Sequence, residues 1–127
     1  MRWFQSLLSR SLPLLFWAAA VAWLSLIPAP PKIPSALFGW DKFQHGAAYA
    51  LLCLLAGWCF RSVSRWQATR WWRAFFVSVV FGALMEVAQG TLTTNRSPEW
   101  GDLAADAVGA GVIAAGFWCY GRLKGRN

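Results

Sequence analysis

The sequence predicts an all-α membrane protein: four transmembrane helices in a compact bundle, with both termini cytoplasmic. Three observations carry this reading. The chain is 57% hydrophobic and only 13% charged, where soluble domains carry about 25% charged residues, and its mean hydropathy is +0.40. It contains ten tryptophans, a side chain that favours the water–lipid boundary because its ring is apolar while its N–H stays wet. Its charges are segregated along the chain, with no acid in the basic segments. With 127 residues, 1–127 reads as a single domain, too small to bury this much apolar surface in water.

Four apolar stretches give approximate spans at 10–27, 43–60, 72–89 and 103–120. A spanning helix needs about 20 largely apolar residues, so the first and third reach that length only with their flanking aromatics. Sustained period-2 alternation is missing, which argues against a strand reading. The run Pro28-Ala29-Pro30-Pro31-Lys32-Ile33-Pro34 cannot be helix interior and breaks the chain after the first span. The second linker, 61–73, is basic and aromatic. The third, 89–101, is polar, with Pro98 and Gly101 marking a turn before the fourth span.

Topology follows from the bases. Arg2, Arg10, Arg61, Arg65, Arg70, Arg73, Arg122, Lys124 and Arg126 fall on one side, against Lys32, Lys42 and Arg96 on the other. Lys and Arg in short loops favour the cytoplasm, so the termini and the second linker are expected there. All five acids then belong to the outer half. The basic start followed by an apolar run mimics a secretory signal, but a clear A-x-A cleavage site is lacking and the segment is expected to remain as a span. The net charge of +7 flanks apolar spans and lacks any nucleic-acid reader motif, so nucleic acid is not expected as a partner. Cys53, Cys59 and Cys119 read as small buried thiols between helices.

The outer ends of spans two, three and four carry the chemistry. Asp41, His45 and Tyr49 are four apart and share a helical face. Asp41 also reads as an N-cap, with Gln44 in a capping-box position, and Tyr49 as a belt or core aromatic. Glu86 lies between Met85 and Val87, where an unpaired carboxylate in hydrocarbon costs on the order of 3 kcal/mol. Glu86 and Gln89 can face the same way, and a purely structural salt bridge is the alternative. Asp102 reads as an N-cap of the fourth span, Glu99 as a solvated loop charge, and Asp106 as an acid inside the span. Arg96 either pairs with Glu99 or Asp102, or grips a phosphate or carboxylate. The fourth span is rich in small residues (Ala104, Ala105, Ala107, Gly109, Ala110, Gly111, Ala114, Ala115, Gly116). It is therefore expected to be the central, most contacted helix, bringing Asp106 toward Glu86 and His45.

These blocks together resemble the VanZ-like family of small bacterial membrane proteins. The matching elements are Asp41-Lys42-x-x-His45-x-x-x-Tyr49, then Glu86-x-x-Gln89, then Arg96 leading to Asp102, with Asp106 and Gly109 one and two turns on. The resemblance spans about residues 41–111. It implies a multi-span envelope protein of the inner (plasma) membrane, in a family whose founding member is associated with teicoplanin resistance. The family often has Asn where this chain has Asp106, so polarity rather than charge is what the resemblance requires there.

Three functional readings follow. The first is a non-enzymatic protein binding an anionic lipid headgroup or lipid-linked cell-wall precursor, through Asp41, Lys42, His45, Tyr49, Glu86, Gln89, Arg96, Asp102 and Asp106. The second is a membrane-embedded enzyme acting on a lipid-linked phosphate or ester, with His45, Glu86 and Asp106 as candidate catalytic groups. Ser97, Thr93 and Thr94 have no evident activating partner as nucleophiles. The third is proton-coupled transport, for which four spans without internal repeats are few unless the protein forms a homo-oligomer. With one histidine and no recognised ligand spacing, neither metal nor cofactor is expected. The topology is checked by reporter fusions: green fluorescent protein after residue 127 should fluoresce, and alkaline phosphatase inserted after Lys32 should be active. The opposite pattern would invert the assigned orientation.

Overall fold

The computed structural model describes residues 2–28, 41–64, 66–94 and 97–125, with side chains from residue 8 onward. Four helices run in order: α1 (Arg2–Leu26), α2 (Asp41–Cys59), α3 (Gln67–Leu92) and α4 (Trp100–Leu123), with a 3-10 turn, Phe60–Ser62, closing α2. All four contain a segment long and apolar enough to cross a bilayer. The shortest, α2, has 19 residues, about 28 Å of rise. Each helix begins before the apolar stretch that announced it. The reason is that polar residues such as Asp41, Gln67 and Asp102 continue the hydrogen-bonded ladder beyond the apolar stretch.

Burial follows one stripe per helix. On α3 it is Trp71, Ala74, Ser78, Gly82, Glu86 and Gln89. On α4 it is Asp102, Asp106, Ala110, Ala114 and Gly121. Steps of three, four or seven keep each set on one face. Both stripes change character along the helix, from aliphatic and aromatic at one end to ionic at the other. The apolar core joins Cys53, Ala56, Trp71, Ala74, Ala110 and Ala114, and Trp71 stacks on Phe117 with ring centroids 4.1 Å apart. A second cluster, Val21, Tyr49 and Leu52, seats α1, and Trp17 Nε1 donates to the Ala48 carbonyl at 2.9 Å. Phe16, Trp23, Phe76, Val80, Val108 and Val112 point outward, an apolar perimeter that water would penalise and acyl chains would cover.

The central helix is α2, not α4. It packs against α1, α3, α4 and the 3-10 turn, whereas α4 meets only α2 and α3 among the described residues. The small residues of α4 are spread around its whole circumference, so most cannot serve one interface: Ala110 and Ala114 are buried, while Ala104, Ala115 and Gly116 are exposed. The closest approach is at Gly46 and Gly109, where a Cβ on Gly109 would collide with the Gly46 carbonyl. The cysteines are free thiols; Cys53 and Cys59 are buried, but Cys119 is exposed. Cys119 lies five residues after Ala114, which carries it off the buried stripe.

Replacing Gly109 with Ala should cost about 1–3 kcal/mol, because the obstructing atom is backbone and cannot rotate away. At Gly116 an added Cβ would meet nothing within 4 Å, so this position should accept Ala without loss. Thermal unfolding of both variants in detergent compares them directly.

Candidate functional site

Three helix ends meet at the ionic end of the bundle: the start of α2, the end of α3 and the start of α4. Because Asp102 and Asp106 are one turn apart, both carboxylates project toward the same region of α2. His45 lies between them. Its Nδ1 is 2.9 Å from Asp106 Oδ1 and its Nε2 is 3.6 Å from Asp102 Oδ2. Asp106 is only 1% exposed. An ionised Asp106 accepts a hydrogen from Nδ1, while Nε2 faces the carboxylate of Asp102.

Gly82 on α3 makes room for this pair. A Cβ there would lie 2.8 Å from Asp106 Oδ2 and 3.1 Å from Tyr49 Cε1. Tyr49 is buried one turn below His45, its ring 6.2 Å from that of Phe81. Lys42 Nζ donates to Glu99 Oε2 at 2.8 Å and also to Asp102 Oδ1. Glu86, buried one turn beyond Gly82, accepts the backbone N–H of Glu99 at 2.7 Å through Oε2. That bond ties the end of α3 to the residue preceding α4.

Several expectations are met differently. Asp102 is not the N-cap of α4: the helix begins at Trp100 with Glu99 in the cap position and no side-chain cap bond. Asp102 sits within the first turn, where an acid suits the helix dipole, and its carboxylate turns to Lys42. Asp41 is the first described residue of α2, and the residue before it lies outside the described residues. Glu99 keeps a half-exposed side chain but is paired through both Lys42 and Glu86. Gln89 points toward α1, donating from Nε2 to the Ser25 carbonyl at 3.0 Å. Thr93 Oγ1 donates to the Gln89 carbonyl at 2.7 Å. Arg96 lies outside the described residues.

Sequence reasoning leaves Glu99, Gly46 and Gly82 out of the site. Glu99 is legible in principle, three residues before Asp102 on what becomes the same helix entrance. The glycines have no distinguishing signal among eleven in the chain.

The residues present form a donor set that linear spacing does not display. Ligand atoms of Asp41, His45 and Asp102 all lie within 4.8 Å of one another. Two donors on one divalent cation are roughly 3.0–3.4 Å apart for bond lengths near 2.1 Å, so modest closure by exposed Asp41 would complete a three-point site. Asp106 behind Nδ1 is the kind of partner that orients metal-bound imidazoles. Next to this cluster, a cavity of about 470 Å³ opens between α3 and α4, lined by Ala83, Glu86, Val87, Pro98, Trp100 and Leu103 among others. It is apolar apart from the carboxylates of Glu86 and Glu99 and the hydroxyl of Thr91.

Comparison with family models, curated proteins and solved structures gave no match. The resemblance to the VanZ-like family therefore rests on its spaced sequence blocks.

Asp106→Leu should destabilise the protein by about 1–3 kcal/mol, since it strands the buried His45 Nδ1–H. Asp106→Asn keeps an acceptor oxygen and should cost about 1 kcal/mol or less. Detergent unfolding together with imidazole ¹⁵N shifts, which report the tautomer, distinguishes the two.

Proposed function

We propose that this is a multi-pass protein of the bacterial plasma membrane that binds an amphiphilic envelope component. The ligand class is an anionic lipid or a lipid-linked cell-wall precursor, and binding changes susceptibility to glycopeptide antibiotics. The observation that supports this reading best is the groove between α3 and α4. It joins an apolar wall of Ala83, Val87 and Leu103 to the carboxylates of Glu86 and Glu99, the chemistry of a ligand with a tail and a polar head.

Charge divides the head into parts. Five carboxylates gather at this end, and Lys42 already serves two of them. Glu86 and Glu99 therefore suit hydroxyl, amide or ammonium donors, as a sugar–peptide headgroup offers. The phosphate falls to Arg96 in the α3–α4 linker, whose guanidinium geometry matches it.

A second reading has its own support. The Asp106–His45 pair at 2.9 Å orients an imidazole as a general base does. A cation on Asp41, His45 and Asp102 would supply an activated water in place of a side-chain nucleophile. On that reading the protein hydrolyses a lipid-linked phosphate.

A fluorescent polyprenyl-pyrophosphate-linked precursor separates the two. Binding to the detergent-purified protein should weaken about tenfold in Ala83→Trp, which fills the groove, and in Glu86→Gln. The precursor should be recovered intact. Product formation that is abolished by His45→Gln while binding persists would replace the binding reading with the hydrolytic one.

A further inference from the structure

The opposite end of the bundle holds a second cavity, about 360 Å³, between the end of α2, the start of α3 and α4. Its walls include Leu54, Trp58, Arg61, Arg70, Trp71 and Phe117. Two of these residues carry buried donors without a hydrogen-bond partner among the described residues, Arg70 Nε and Trp71 Nε1. A buried donor left unmade is costly, and a charged one more so. Their occurrence on adjacent residues of one cavity points to a missing acceptor.

Electrostatics points the same way. Arg61 lies within interaction range of Arg70. Arg10 is also at this end, donating from Nη1 to Ser62 Oγ at 2.8 Å. All five side-chain carboxylates of the chain belong to the other end, on or beside the helix termini at 41, 86, 99, 102 and 106. Arg61 and Arg70 thus line one largely apolar pocket with no counter-charge among the described residues. The Trp71 ring is closely packed: it fills the space beside Gly57, where any Cβ would overlap it. It stacks on Phe117 at 4.1 Å, and the Arg70 guanidinium lies 5.1 Å from its centroid.

We propose that Arg61, Arg70 and Trp71 form a headgroup site for the phosphate of an anionic phospholipid, whose acyl chains run along Leu54, Leu55 and Trp58. The apolar walls favour a lipid over free phosphate, which would satisfy the donors and leave those walls wet. Basic pockets between helix ends are where anionic headgroups settle. The site shares no residue with the ionic end and stands independently of the function proposed there.

The test uses purified full-length protein in detergent, titrated with phosphatidylglycerol or phosphatidylcholine and read by native mass spectrometry and thermal shift. Wild type should bind phosphatidylglycerol about tenfold or more tightly than phosphatidylcholine. In Arg61→Gln/Arg70→Gln that preference should fall below about threefold. Arg122→Gln/Lys124→Gln removes the same charge from the same end outside the pocket and should retain it. Trp71→Phe keeps the stack but removes the donor, and should weaken phosphatidylglycerol binding several-fold even if the double variant does not fold. The proposal is overturned by equal affinity for both lipids, by equal loss in the Arg122/Lys124 control, or by unchanged binding in Trp71→Phe. Stabilisation by inorganic phosphate matching that by phosphatidylglycerol would reject the lipid as its occupant.

Discussion

The structure depends on how near α2 and α4 can come. At Gly46 and Gly109 nothing but backbone separates them, and one turn away that proximity places His45 within hydrogen-bond distance of Asp106. In lipid, helices gain little from hiding apolar surface, because acyl chains solvate it as well as another helix does. Close packing and polar contacts must supply the association instead. Here the two are coupled: the glycines permit the approach, and the imidazole–carboxylate pair uses it. Polar residues elsewhere extend the same logic outward. Lys42 joins α2 to α4, Glu86 joins α3 to the entrance of α4, and Gln89 joins α3 to α1.

The polar cluster is correspondingly expensive to isolate. Glu86, Asp102 and Asp106 are all buried, and each has a named partner. Removing one partner would leave a charge in a poor solvent, so the cluster behaves as one network rather than as separable bonds. Such a network can hold its own geometry without a ligand, yet still offers the outer faces of Asp41, Glu86 and Glu99 to one.

Helix number and order were legible because hydropathy is a local property, and the proline run, the basic linker and the polar linker divide the chain unambiguously. The convergence of His45 and Asp106 was also legible: each is an ionisable group one turn inside an apolar stretch, and such groups seek one another. Which helix is central was not. Small residues surround α4, so composition alone could not tell the packed face from the lipid face. Nor could spacing reveal that Asp102 takes Lys42, 60 residues away, or that Gln89 reaches the Ser25 carbonyl on α1. The orphaned donors at Arg70 and Trp71 are invisible in one dimension, since being unpartnered is a property of surroundings.

The segregation of charge has an electrical consequence. Acids at one end and arginines at the other make the bundle a permanent dipole along its long axis. A transmembrane voltage does work on such an object, about 2.3 kcal/mol per elementary charge carried across each 100 mV. In a membrane energised negative on one side, that field would favour the arginine end on the negative side.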